Sequence, residues 1–269
     1  MENIIWCRPL THTMEKESQT IQAGEKLLTV IEAIQELDGA RVSELADHLG
    51  YTKSTVHRYL ATLESQEYVV KERGTYHIGL RFLDIGEHAA TRKKAYTMAE
   101  SKVAELAEET QERAQFVVEE HGKAVYVHRE IGNNAVRTDP GLGKRIPIHA
   151  AAAGKAILAY TPEEKVQHII ETRGLPAMTE HTITDPEELF EDLELTRDRG
   201  YTINENEILE GLSAIGVAIQ DENERAIGAL SVSGPTHRMK GEWFKEDLPS
   251  LLMGTANELE LNTSHSHRL

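Results

Sequence analysis

The chain has 269 residues, enough to bury a sizeable core in one large or two ordinary domains. Its 45 acidic against 29 basic residues leave a formal charge of −16, and only 39% of it is apolar, with no run of eighteen apolar residues, so no membrane span is expected. A single cysteine, Cys7, excludes an internal disulfide and any cysteine-rich zinc site.

The opening residues, "MENIIWCRPLTHTM", lack the basic start, apolar middle and small-residue cleavage site of a signal peptide, so the protein reads as cytoplasmic. Residues 1–19 are expected to be a disordered or non-native leader, since regular helical spacing begins only after them. Residues 21–37 then place Leu27, Leu28, Ile31, Ile34 and Leu37 at helical intervals, and Asp38-Gly39 ends that helix. Ser43, followed by Glu44, reads as the cap of a short second helix closed by Gly50. A third helix is expected from Thr52 or Lys53 to Ser65, with Val56, Tyr59 or Leu60, and Leu63 on its apolar face. Tyr68 to Gly79 reads as two short strands around the turn "KERGT". Three helices and a hairpin within about sixty residues, here 20–80, are the plan of a winged helix-turn-helix.

Residues 80–112 read as mostly helical with a break at Gly86, and 81–97 as a linker helix. The second domain is expected over 98–262. "RAQFVVEEHGKAVYVHREI" gives a hairpin turning at His121-Gly122, and "AAAAGKAILAY" a helix of small residues. Thr161-Pro162 and Asp185-Pro186 each open a further helix. "YTINENE", "SAIGVAIQD" and "AIGALSVSG" are strand-like, residues 242–262 form a closing helix, and 263–269 a disordered tail. The fold class is therefore α+β: a winged helix-turn-helix joined by a helix to an α/β domain.

The first domain carries its chemistry at fixed offsets. A helix-turn-helix needs a small residue where its helices meet, a glycine four residues on for the turn, and an aliphatic six further; Ala46, Gly50 and Val56 stand there. The second helix of such a pair enters the major groove, and its exposed positions Thr52, Lys53, Ser54, Thr55, His57, Arg58 and Tyr59 supply hydroxyls and cations for phosphates and base edges. Lys71 and Arg73 on the wing could reach the neighbouring backbone. The charge is sorted to match. Residues 21–100 hold ten bases and twelve acids, against twelve and nineteen in 101–200 and five and eleven in 201–269; Tyr51 to Leu63 has no acid at all. The bland reading is an ordinary helical hairpin with a solvated basic face. The acidity elsewhere suits a salt-loving host, or an ordinary acidic cytosolic protein.

In the second domain, Ala150 to Gly154 are all small, so that backbone could approach a ligand, and a helix N-terminus there could hold an anion. Ser231 and Ser233 alternate on one strand face, where paired hydroxyls suit a carboxylate or a polyol. The bland reading is tight helix–sheet packing with locally satisfied serines. Catalytic motifs fail: "GLSAIG" has Ile215 where a nucleophile elbow needs glycine, and "GLGKR" and "AAGKA" lack the Ser or Thr of a phosphate loop. No enzyme activity, cofactor or metal site is expected.

Four segments, in order, resemble the isocitrate lyase regulator (IclR) family of transcriptional regulators: "TKSTVHRYLATLESQEYV", "YHIGLRFLDIG", "IPIHAAAAGKAILAY" and "GLSAIGVAIQDENERAIGALSVSGP". Two departures are small: Gln66-Glu67 replaces an acidic-Gly pair at the end of the recognition helix, and Ala218 stands where Pro is frequent. The resemblance implies a GAF-like sensor domain whose effector pocket is lined by Ala152, Ala153, Gly154, Asn204, Ala214, Ser231 and Ser233. It implies double-stranded operator DNA as one partner and a small metabolite, a carboxylate or sugar derivative, as the other. Homodimers or dimers of dimers follow from it too, with a salt-loving archaeon as the suggested source. The alternative is a metabolite-binding protein or enzyme whose winged helix serves protein contacts.

Overall fold

The computed structural model describes residues 20–135 and 141–264; the expected leader lies outside them, as does most of the expected tail, whose first two residues belong to the last helix. The chain divides into two compact units, Met1–Gly86 and Glu87–Leu269.

In the first unit, α1 (Gln22–Glu36), α2 (Val42–Leu49) and α3 (Lys53–Ser65) precede the hairpin of β1 (Val69–Glu72) and β2 (Thr75–Ile78). This is a winged helix-turn-helix. Its core joins Val30, Ala33, Ile34, Leu45, Ala46, Val56, Leu60, Leu63, Val69 and Tyr76, with no charged side chain buried among its described residues. Ala46 and Val56 are buried, and Gly50 takes the left-handed conformation (φ 66°) that turns the chain between α2 and α3. The wing turns on two residues, Arg73 (φ 50°) and Gly74 (φ 92°), with Glu72 and Thr75 already paired, so it is tighter than the five-residue turn expected.

Three local expectations change. The α1 face is Val30, Ala33 and Ile34, with Leu27 and Ile31 half-buried against the same core as expected; Leu28 is 59% exposed and Leu37 lies at the surface. Ser43 is inside α2 rather than capping it. The backbone leaves its extended path at Arg41, because Ala40 is bridged to Tyr76 on the wing (N–H to O, 3.0 Å), and the Glu44 carboxylate accepts the Arg41 N–H at 2.6 Å. Finally, α4 (Arg81–Thr91) runs through Gly86 unbroken, and the interruption falls at Arg92-Lys93 before α5 (Lys94–Thr110), so residues 81–97 are not one helix.

The second unit is built on a six-stranded antiparallel sheet in the order β5-β4-β3-β8-β7-β6. Its strands are β3 (Arg113–Glu120), β4 (Lys123–Ile131), β5 (Arg145–Pro147), β6 (Thr202–Glu205), β7 (Leu212–Gln220) and β8 (Ala226–Pro235). One face packs α5 and the closing α9 (Leu248–Ser264), entered through a π-turn at Trp243–Asp247, around Phe116, Val217, Leu230 and Leu252. The other face carries a 3₁₀ turn (Ile148–Ala150), α6 (Ala152–Ala159), α7 (Glu163–Arg173) and α8 (Pro186–Arg199) around Val117, Ile157, Val166 and Leu193. Asp185 caps α8 through the N–H groups of Glu187 and Glu188. Thr161 does not cap α7: its hydroxyl turns back to the Ile157 carbonyl at 2.8 Å, finishing α6 instead. Among the described residues no helix is long and apolar enough to cross a membrane.

Candidate functional site

The first candidate surface is α3. Thr52 is its N-cap, accepting the Thr55 N–H at 3.2 Å, and its hydroxyl also meets those of Ser54 (3.0 Å) and Thr55 (2.9 Å). Burying Val56, Leu60 and Leu63 turns Lys53, Ser54, His57 and Arg58 out to solvent. Thr55 and Tyr59 are half-buried, and the Tyr59 ring packs against the core, so it is partly spent on folding. On the wing Arg73 sits at the exposed turn, and the Lys71 ammonium lies 5.1 Å from the centre of the Tyr76 ring. The free N–H groups at the start of α3 add a partial positive charge to a face that carries no carboxylate from Tyr51 to Leu63.

The second candidate surface is a polar strip on the α6 side of the large sheet. Register puts Asn204, Ala214, Ser233 and Arg113 in one cross-strand row; Thr202, Gly216, Ser231, Gln115 and Arg129 form the adjacent row. All the polar members except Arg129 are buried. The Ser233 hydroxyl accepts from Arg113 Nε (3.0 Å) and from Gln115 Nε2 (3.1 Å). At the other end Thr202 Oγ1 donates to the Ala152 carbonyl (2.8 Å) and Asn204 Nδ2 to that of Ala150 (2.6 Å), tying α6 to the sheet. Burial holds the Arg113 guanidinium below its ordinary pKa, with the neighbouring Arg129 charge acting the same way and Tyr126 opposing it. Gln115 Oε1 is buried without a hydrogen-bond partner among the described residues. Such a strip can accept a polar anion: guanidinium, amide and hydroxyl donors converge on one face.

Of the residues expected to line a pocket, Asn204, Ala214, Ser231 and Ser233 thus share the strip. Ala152, Ala153 and Gly154 open α6 above it, and their smallness already serves packing. A Cβ on Gly154 would fall 2.0 Å from the Ile148 carbonyl oxygen, and one on Gly216 would fall 2.6 Å from that of Ala152. Reading the sequence missed Arg113, Gln115 and Arg129. The signal was present in "RAQFVVEE", where Arg113 and Gln115 alternate with the core residues Ala114 and Phe116.

Beside the strip, between α6, α8 and the chain after β6, lies a buried ion cluster that the sequence did not announce. The Lys155 ammonium of α6, 1% exposed, meets Glu207 Oε1 at 2.7 Å, Asp192 Oδ2 at 3.0 Å and the Ile203 carbonyl at 3.2 Å. Burial pushes the Glu207 carboxyl above the usual range, and Lys155 pulls against that shift. Glu207 N–H in turn bonds Asn204 Oδ1 (3.3 Å). A recess of about 570 Å³ bounded by Ala159, Arg197, Asn223 and Arg225 lies at the opposite end of α6. It is wide open, and Arg197 there is already bonded to the Ala159 carbonyl at 3.0 Å, so the strip is the better-built site.

Comparison with known proteins gives a consistent result. The helix-turn-helix model of the IclR family matches residues 25–73, and the model for the C-terminal domain of bacterial IclR transcriptional regulators matches residues 87–260. A probable transcriptional regulator from Halobacterium salinarum, ArcR, is 32% identical over 249 residues, covering 91% of this chain and 95% of that one. The crystal structure of an IclR transcriptional regulator from Alicyclobacillus acidocaldarius has 25% identity and a TM-score of 0.78, covering 91% of this chain and all of its own. An IclR homologue from Microbacterium hydrocarbonoxydans, solved with 4-hydroxybenzoate, shares the fold: 22% identity, a TM-score of 0.72, and coverage of 88% and 98%.

Proposed function

Because the chain belongs to the IclR family of ligand-responsive transcriptional regulators, we propose that it binds a palindromic operator of a metabolic operon as a dimer or dimer of dimers and is switched by a small carboxylate or sugar-derived metabolite. The carrying observation is α3, a capped helix presenting Lys53, His57 and Arg58 on a face free of carboxylates. Lys53, Thr52, Ser54 and Thr55 serve phosphates, His57, Arg58 and Tyr59 reach base edges, and Lys71 and Arg73 hold the flanking backbone. The effector sits against the polar strip of Asn204, Ala214, Ser231 and Ser233 beneath Ala152, Ala153 and Gly154, with Arg113 pairing its anionic group. The Microbacterium relative was solved with a hydroxybenzoate, a carboxylate of this class, which supports the reading. Occupancy of the strip and seating of α3 are coupled by roughly 1–3 kcal/mol, conveyed along α4.

An electrophoretic shift assay tests the DNA half. Arg58→Ala weakens binding to a duplex selected from a random pool by about 5- to 150-fold while leaving a scrambled duplex nearly unaffected. Equal loss on both duplexes would remove Arg58 from base reading. Salt tests the setting. The acidic composition and the Halobacterium relative favour a salt-rich cytoplasm, where phosphate contacts alone are too weak. Affinity then falls with salt less steeply than the slope of roughly −5 that six phosphate-bound cations in a dimer, Lys53, Lys71 and Arg73 of each protomer, would give.

A further inference from the structure

The last turn of α3 closes in an unusual way. Tyr68 N–H bonds the Leu63 carbonyl at 2.9 Å and Glu67 N–H bonds that of Glu64 at 3.0 Å. These are the paired 6→1 and 5→2 bonds of a helix end whose pivot residue is left-handed, a position glycine fills at least cost. Here the pivot is Glu67, at φ 63°. A side chain there costs the closed end part of what these two bonds give it. An offset comes from the start of the connector. Arg81 Nη1 donates to the carbonyl of Gln66, the C-cap residue, at 2.6 Å, and the guanidinium lies 4.8 Å from the centre of the Tyr68 ring. Phe82 packs on the same ring, with centroids 5.1 Å apart, and Gly79 N–H bonds the Tyr68 carbonyl at 2.8 Å. Gly79 sits so close that a Cβ would fall 2.8 Å from the Glu67 carbonyl oxygen.

We propose that Arg81 is a positioning residue for DNA recognition: it clasps the end of α3 that Glu67 would otherwise let open, and so makes the first turn of α4 part of the recognition helix's cap. Glycine at 67 would close α3 whatever α4 does. Glutamate makes closure conditional on where Arg81 stands, so a displacement of α4 is transmitted to the recognition helix through one guanidinium. The inference rests on α3 being the helix that enters the groove.

The test uses the full chain, a duplex selected by the wild-type protein from a random pool, and a scrambled duplex of the same composition. Arg81→Met keeps the apolar stem over Tyr68 and removes the donor. It lowers affinity for the selected duplex about tenfold, leaves the scrambled duplex within about twofold, and speeds amide exchange over residues 64–68 about tenfold. Adding Glu67→Gly restores affinity and exchange to within about twofold of wild type, because glycine closes the helix unaided. Should Arg81→Met fail to fold, Arg81→Lys carries the same expectations, since a single ammonium cannot both stack on the ring and cap the carbonyl. Unchanged affinity for the selected duplex overturns the proposal. So does equal loss on both duplexes, which would make Arg81 a phosphate ligand, and so does a loss that Glu67→Gly fails to repair. If the wild-type chain selects no sequence, the groove-reading role itself falls, and this proposal with it.

Discussion

The two units solve opposite problems. Among the described residues, the first buries only apolar side chains and Tyr76, and turns its hydroxyls and cations outward. The second takes Arg113, Gln115, Lys155, Asn204, Glu207, Ser231 and Ser233 out of water. A surface that meets a polyanion can stay solvated until contact, so its polar groups cost the fold little. A surface that recognises a small molecule must be dry and preorganised, and each polar group there needs a partner within the protein. On the proposed function, buried polarity falls in the half of the chain that would sense, and the exposed hydroxyls and cations of α3 in the half that would meet DNA.

This contrast can be broken most sharply at Lys155. Lys155→Met leaves Glu207 and Asp192 facing each other with their shared cation gone, and removal of one partner from a buried ion cluster costs about 3–5 kcal/mol. The expected outcome in urea is a large fall in the unfolding midpoint of the second unit with that of the first unmoved, part of it recovered by adding Glu207→Gln. Equal falls in both would mean that the units do not separate as described. A smaller effect belongs to the first unit. Thr52→Ala removes the α3 cap and costs about 1 kcal/mol, read as a lower midpoint for the first unit alone.

The least effect, and the one that sharpens the contrast, is in pH. Burial holds the His149 ring below its usual value of about 6.5; the Pro176 carbonyl, 3.2 Å from Nε2, works against that shift, and the Lys155 charge reinforces it. The folded state thus prefers the neutral ring. Its contribution is present above the unfolded value and is lost as pH falls below about 6.5 towards the folded one. Thermal melts should show the second unit losing stability over that window in wild type, and His149→Gln should flatten the profile. A flat profile in wild type would show that His149 binds its proton equally well in the folded and the unfolded chain.

Legibility in the sequence follows the same division. The helix-turn-helix could be read because Ala46, Gly50 and Val56 are local, and their burial and turn geometry follow from eleven consecutive residues. The strip could be read only in part. Ser231 and Ser233 declare a shared face by their spacing, but Arg113 and Asn204 join them through pairings across four strands that no local pattern encodes. The misplaced helix starts have the same origin. Arg41 rather than Ser43 is the N-cap of α2 because Ala40 is held by Tyr76, thirty-six positions away. Gly86 failed as a break because a single glycine costs a helix only about 1 kcal/mol, and α4 continues past it.

The sheet of the second unit ends, among the described residues, in its two shortest large-sheet strands: three residues in β5, closing on Pro147, and four in β6. Brief outer rungs of this kind, one of them missing an amide hydrogen, give a foreign chain almost nothing to zip onto. A domain rich in β-structure can thereby stay crowded at high concentration without seeding fibrous aggregates.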